Sequence, residues 1–160
     1  MPIREGEKLP DVTLKTMTAD GIKDVSTREL FAGKRVVLFA VPGAFTPTCS
    51  AKHLPGFVEQ ADAILKKGVD RIVCLSVNDA FVMGAWGKAQ HTGDKVMLVA
   101  DGNAAFSEAV GLAFDGSGFG MGKRSQRYAM IVQDGVVKKL FVEKPMEFKV
   151  SSAESVLAAL

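Results

Sequence analysis

Apolar residues along the chain gather in short blocks, and the blocks alternate between two patterns. Arg35 to Val41 (RVVLFAV) and Arg71 to Val77 (RIVCLSV) are nearly unbroken and rich in β-branched side chains. Such runs predict strands covered on both faces. Val12 to Met17 predicts an earlier strand, and Lys95 to Ala100 a further one. Between them the spacing is helical. Ser26 to Phe31 predicts a short helix, with Ser26 as N-cap, Glu29 completing a capping box and Gly33 as the stop. After the loop PGAFTPT, residues Thr48 to Lys67 predict a longer helix closed by Gly68. Pro55 lies inside it, removes a backbone donor and is expected to kink or break it. Asn78 and Asp79 can cap a helix reaching about Gln90, and Ala104 to Val110 predicts another. Phe114 to Lys123 has the composition of a glycine-rich loop. Gln126 to Gln133 and Val136 to Glu143 flank Asp134-Gly135, a strong hairpin signal, and Glu154 to Leu160 can close as a terminal helix. No linker, repeat or low-complexity stretch interrupts this order, so residues 1–160 are expected to form one α/β domain with a central mixed sheet flanked by helices.

Composition narrows the function classes. The 160 residues are 48% hydrophobic and 24% charged, with a formal net charge of +2. That charge is too small, and its lysines and arginines too scattered, to argue for nucleic acid or a membrane surface. The longest apolar run, Val36 to Pro42, is too short to span a bilayer. Two cysteines, Cys49 and Cys74, do not make a secreted disulfide framework. The opening MPIREGEK has no apolar stretch of the export type, so the expected location is the cytoplasm. Cys49, His53, Cys74 and His91 lack paired ligand spacing, and no metal or other cofactor is expected.

The candidate chemistry is concentrated at Cys49. The pattern places it in the first turn of a helix, just past the C-terminal end of a buried strand, the edge at which open α/β sheets bind ligands. Free N–H groups and the positive end of the helix dipole favour thiolate over thiol there. An unperturbed thiol titrates near 8.5, and lowering it by roughly two units takes about 2.7 kcal/mol. A helix terminus supplies roughly 0.3 to 2 kcal/mol, so a cation or hydroxyl must add to it. Thr46 and Thr48 are adjacent hydroxyls, while Pro42 and Pro47 stiffen the loop.

The segment Pro42-Gly-Ala-Phe-Thr46-Pro-Thr-Cys49 matches the peroxiredoxin motif Pro-x-x-x-Thr-x-x-Cys. PGAFTPTCSAKHLPGF, SVNDAFVMGAW (Ser76 to Trp86) and GKRSQRYAMIVQDGVV (Gly122 to Val137) resemble the type II, peroxiredoxin-5-like subfamily, in the same order and along nearly the whole chain. The resemblance implies a thioredoxin-like fold, for which the strand–helix order above is a natural frame. It also implies a thiol peroxidase that reduces hydrogen peroxide and small alkyl hydroperoxides. By position, Cys49 is then the peroxidatic nucleophile. Thr46 hydrogen-bonds the sulfur and the peroxide, Pro42 shields the pocket from water, and Arg127 supplies the missing cation. Relatives meet across a dimer near the active site, which implies a homodimer.

Attack leaves Cys49 as a sulfenic acid that must be reduced. Cys74 is the only other cysteine, but it sits mid-strand between Val73 and Leu75. Burial is the favoured reading and a resolving role the alternative. Some relatives carry a resolving cysteine near the C-terminus, and Glu143 to Leu160 contains none. The implied reductant is therefore glutathione or glutaredoxin rather than thioredoxin. His53, four residues after Cys49, could form a nucleophile–base pair on a continuous helix, but local packing or hydrogen bonding is the preferred reading. Gly116 to Lys123 imitates a phosphate loop but fails its register at Ser117 and Arg124.

Overall fold

The computed structural model describes residues 1–160. Its centre is a seven-stranded sheet in the order β2-β1-β5-β4-β3-β8-β9. The strands are β1 (Thr13–Thr18), β2 (Gly21–Ser26), β3 (Arg35–Val41), β4 (Arg71–Ser76), β5 (Met97–Ala100), β8 (Tyr128–Gln133) and β9 (Val136–Val142). β3, β4 and β5 run parallel, whereas β8 joins β3 and β1 joins β5 antiparallel. The sheet is thus mixed, with the two sequence-predicted covered strands at its centre.

Alternation along β3 builds two cores at once. Val37, Phe39 and Val41 join Leu54, Phe57, Trp86 and Val156, beneath α2 (Leu54–Lys66), α3 (Ala80–Ala89) and α5 (Ala153–Ala159). Val36, Leu38 and Ala40 face the other way, onto Leu30, Phe31 and Phe106 from α1 (Thr27–Phe31) and α4 (Ala105–Ala109). A strand buried on both faces needs no polar positions, which is why its sequence is unbroken.

The local signals hold where capping decides. Ser26 and Glu29 close the expected box, Asp79 accepts from Val82 N–H at 2.8 Å, and Ser152 caps α5. Asp134 and Gly135 both have positive φ (50° and 78°), as a type I′ hairpin turn requires. Three expectations change. Strand β2 was not predicted, because as an edge strand it buries only Val25. The segment 114–123 is not all loop. β6 (Ala113–Asp115) and β7 (Lys123–Ser125) pair across it around a 3₁₀ turn. Pro55 neither breaks nor visibly ends the helix. Helical structure runs from Pro47, widens into a π turn over Cys49–His53, and continues as α2. Leu54 N–H reaches Cys49 O in that wider turn, and Pro55 falls in the first turn of α2, where a missing donor costs little.

Candidate active site

The site lies where β3 ends. Residues 42–48 leave the sheet and turn back into the helix, and this turn is held by side chains of the neighbouring strand end. Ala44 N–H donates to Asn78 Oδ1 at 3.0 Å, and Ser76 Oγ donates to the same oxygen at 2.6 Å. Phe45 takes a positive φ of 64° and points an exposed ring outward. Thr46 then opens the helix, its carbonyl accepting from Ser50 N–H at 3.0 Å. The N–H groups of Thr48 and Cys49 lie in the first turn of this helix, where the helix itself offers them no acceptor.

Cys49 is completely buried. Arg127 Nη2 donates to its Sγ at 3.1 Å, and Arg127 Nη1 donates to His53 Nδ1 at 2.8 Å. Arginine can only donate, so Nδ1 is the acceptor and the imidazole proton sits on Nε2. Nε2–H in turn donates to the Ser151 carbonyl at 2.8 Å. His53 is thereby held neutral. Burial, then the Arg127 charge, push its pKa from 6.5 down to about 3. Phe39, Phe57 and Phe148 surround the imidazole, with ring centroids 4.9 to 5.7 Å away. The Phe148 ring also lies 5.8 Å from the guanidinium carbon of Arg127.

The structure therefore brings Cys49 and Arg127 together, and it puts Pro42 and Thr48 beside them. These two and Arg127 line a cavity of about 640 Å³ whose far wall includes Phe119, Met146 and Phe148. Arg127 does not lie within β8 but just before it, in the link from β7. Thr46 differs from expectation. Its hydroxyl donates to Gly43 O at 2.6 Å instead of to the sulfur, because the tight turn puts that carbonyl within reach. The Thr46 oxygen keeps its lone pairs and can act as an acceptor. Cys74 lies on β4 opposite Phe39, fully buried as a free thiol, and burial, then the proximity of Cys49, push its pKa well up.

Several contributors were not predicted. His53 was expected to pack or hydrogen-bond locally, and it does both, but its hydrogen bond to Arg127 was not foreseen. Its spacing of four from Cys49 was the available signal. Arg124 Nη1 donates to Pro42 O at 3.4 Å, and a Cβ on Gly43 would come within 2.9 Å of that nitrogen. Glu143 and Ser151 act from more than ninety residues away in sequence, and no local pattern marks them. A larger depression of about 900 Å³ at the α3–β5 edge, near Gly84 and His91, lies away from both cysteines.

As chemistry, the arrangement is a buried sulfur with one fixed cation at the start of a helix, beside a hydroxyl left free to accept and next to a cavity that the cation lines. It suits attack on a small electrophile that releases negative charge. Comparison with known proteins agrees. The Redoxin family profile matches residues 4–157. The chloroplastic peroxiredoxin-2E-2 of Oryza sativa subsp. japonica is 54% identical over 99% of this chain and 72% of its own length. A reduced peroxiredoxin from Vibrio vulnificus in complex with hydrogen peroxide superposes with a TM-score of 0.94 at 56% identity, covering 98% of each chain. The 1-Cys peroxiredoxin of Plasmodium falciparum superposes with a TM-score of 0.91 at 31% identity, covering 96% of each chain.

Proposed function

Because the chain belongs to the Redoxin family, as a type II, peroxiredoxin-5-like peroxiredoxin and so a thiol peroxidase, we propose that Cys49 is the residue that attacks the peroxide. The observation that carries this is the Arg127 guanidinium 3.1 Å from Cys49 Sγ, a cation that stabilises a thiolate in a buried place. The thiolate attacks one peroxide oxygen along the O–O axis. An S–O bond forms, the O–O bond breaks, and the electron pair leaves with the distal oxygen as hydroxide or alkoxide. That oxygen takes a proton from solvent, balancing the one the thiol released on ionising, and departs as water or alcohol, while Cys49 becomes a sulfenic acid. Arg127 and the N–H groups of Thr48 and Cys49 bind the charge as it develops. Thr46, its own proton committed to Gly43, accepts a hydrogen bond from the peroxide O–H. Pro42 lines the cavity, which supports its proposed part in keeping bulk water off the sulfur.

The substrates proposed are hydrogen peroxide and small alkyl hydroperoxides. Hydrogen peroxide is supported by the peroxide complex of the Vibrio vulnificus relative. Alkyl groups are supported by the apolar wall of Phe119, Met146 and Phe148. Glutathione or glutaredoxin is proposed as reductant in preference to thioredoxin, since Cys74 is fully buried between strands and so is poorly placed to resolve the sulfenic acid. The 1-Cys relative offers a precedent for that economy of thiols. Two unpaired thiols suit a reducing compartment such as the cytoplasm.

Intact mass after rapid mixing with one equivalent of hydrogen peroxide tests the mechanism. The expected product gains one oxygen, mapped to Cys49, and the Cys49→Ser protein shows neither this gain nor turnover. A loss of two hydrogens with Cys49 joined to Cys74 would instead make Cys74 the resolving residue. Unreacted protein would refute the assignment of Cys49.

A further inference from the structure

We propose that Glu143 is a positioning residue for peroxide reduction, acting on Cys49 through a chain strap, His53 and Arg127; this rests on Cys49 being the nucleophile. Glu143 directly follows β9, and its N–H donates to Arg127 O at 3.0 Å, so it is the sheet neighbour of that arginine. Its buried carboxylate has no ion-pair partner. It is filled instead by donors from one short stretch: the N–H groups of Lys149 (2.8 and 2.9 Å), Val150 (2.9 Å) and Ser151 (2.8 Å), and the Ser151 hydroxyl (2.7 Å). Burial alone would raise its pKa, but the Ser151 hydroxyl and these amides outweigh it and hold the group below its ordinary value, so the clasp is ionised.

That clasp fastens the strap 144–151, and the strap carries Ser151, which holds His53, and Phe148, which packs against His53 and Arg127. Ser151 offers its carbonyl to His53 Nε2, which selects the tautomer whose Nδ1 lone pair faces Arg127. Phe148 lies against His53 and the guanidinium. Loosen the strap and His53 is free to turn or to carry its proton on Nδ1, where it would repel Arg127 N–H. The guanidinium would then lose one of its two anchors, and the contact with Cys49 Sγ would lose its geometry. The charged or titratable groups facing this cluster are Arg127, His53, Glu143 and Cys74, with Asp115, Lys144 and Glu147 on the cavity wall.

The test is Glu143→Gln, which keeps shape but replaces one acceptor oxygen by a donor that meets donors. The expected kcat/KM for hydrogen peroxide falls roughly 10- to 100-fold, as displacement of a reacting group by about an ångström does. The midpoint of Cys49 thiolate absorbance at 240 nm moves up by about one pH unit, a tenfold fall in the ratio of thiolate to thiol. In an Arg127→Gln background the same change should cost less than about twofold, because the path through Arg127 is already cut. Wild-type titration and rate in E143Q would overturn the inference, as would an equal loss with and without Arg127. Should E143Q fail to fold, His53→Phe keeps the aromatic packing and removes only the acceptor. It should give the same upward shift, and an unmoved midpoint would again overturn the inference. A wild-type protein inert to peroxide would sink the proposed function instead.

Discussion

His53 shows how one side chain can be both core and machinery. It packs like an aromatic residue among Phe39, Phe57 and Phe148, yet spends both ring nitrogens on hydrogen bonds. Keeping it neutral has a consequence for stability. Folded, it takes a proton only near pH 3, whereas unfolded it does so near 6.5. Between those values the unfolded chain binds more protons, so stability is lost as pH falls below about 6.5, by up to ~1.4 kcal/mol per unit. Glu143 works in the same direction: its contribution is present above the ordinary carboxylate range and is lost as pH falls through its lowered value. Urea denaturation of His53→Phe should therefore show a loss between about pH 7 and pH 4.5 that is smaller than the wild type's by roughly 2 kcal/mol. Equal losses would mean that His53 takes up its proton as readily folded as unfolded. Tyr128 is the contrasting case, fully buried with a hydroxyl that finds no partner and a phenol that burial keeps neutral.

At the scale of elements, the helix that carries Cys49 departs from α geometry where the chemistry sits. The π turn over Cys49–His53 adds a residue ahead of Pro55, and so changes which way Cys49 and His53 face relative to α2. Although no side chain caps its start, the hydroxyls beside Cys49 and the Gly68 stop of this helix are local and legible. The wide turn is not, because it depends on Arg127 and Ser151, which meet it from other parts of the fold. Beyond the turn, α2 has slack that is open to test. Gly56 has an ordinary φ, and a Cβ there would meet the Ala153 Cβ at 3.9 Å, a normal contact with α5. Gly56→Ala should raise stability by about 0.5 to 1 kcal/mol through the lower entropy of the unfolded chain. Thermal denaturation should shift upward by roughly 2 to 4 °C, and a downward shift would show that α2 and α5 sit closer than 3.9 Å implies.

At the scale of the molecule, exposed aromatic residues gather beside the site. Phe45 is 57% and Phe81 67% exposed, and the Ala44–Asn78 bond brings the turn carrying Phe45 next to the start of α3, which carries Phe81. Large apolar side chains at a rim suit an interface, and a stable one needs about 800 Å² per partner. We propose a homodimer through this face. Sedimentation should give twice the chain's mass for the wild type and the single mass for Phe81→Glu. A monomeric wild type at micromolar concentration would rule the dimer out.

Sequence alone determined what local physics controls. Unbroken β-branched runs suited covered strands, and capping residues and Asp134-Gly135 marked where elements start, stop or reverse. The pattern placed the cysteine after PGAFTPT at a strand–helix junction, and the family resemblance carried by Pro42, Thr46 and Cys49 implied peroxide chemistry. Tertiary structure decided what depends on distant groups meeting. It set the edge strand β2, in which only Val25 is buried, and the small β6–β7 hairpin within a glycine-rich stretch. It turned the Thr46 hydroxyl onto Gly43. Above all it set the line from Glu143 through Ser151 and His53 to Arg127 and Cys49, whose ends lie 94 residues apart. Hydrogen bonds and burial across such a span carry no short-range signature, because each residue's role is conferred by a partner that only folding brings within 3 Å or so.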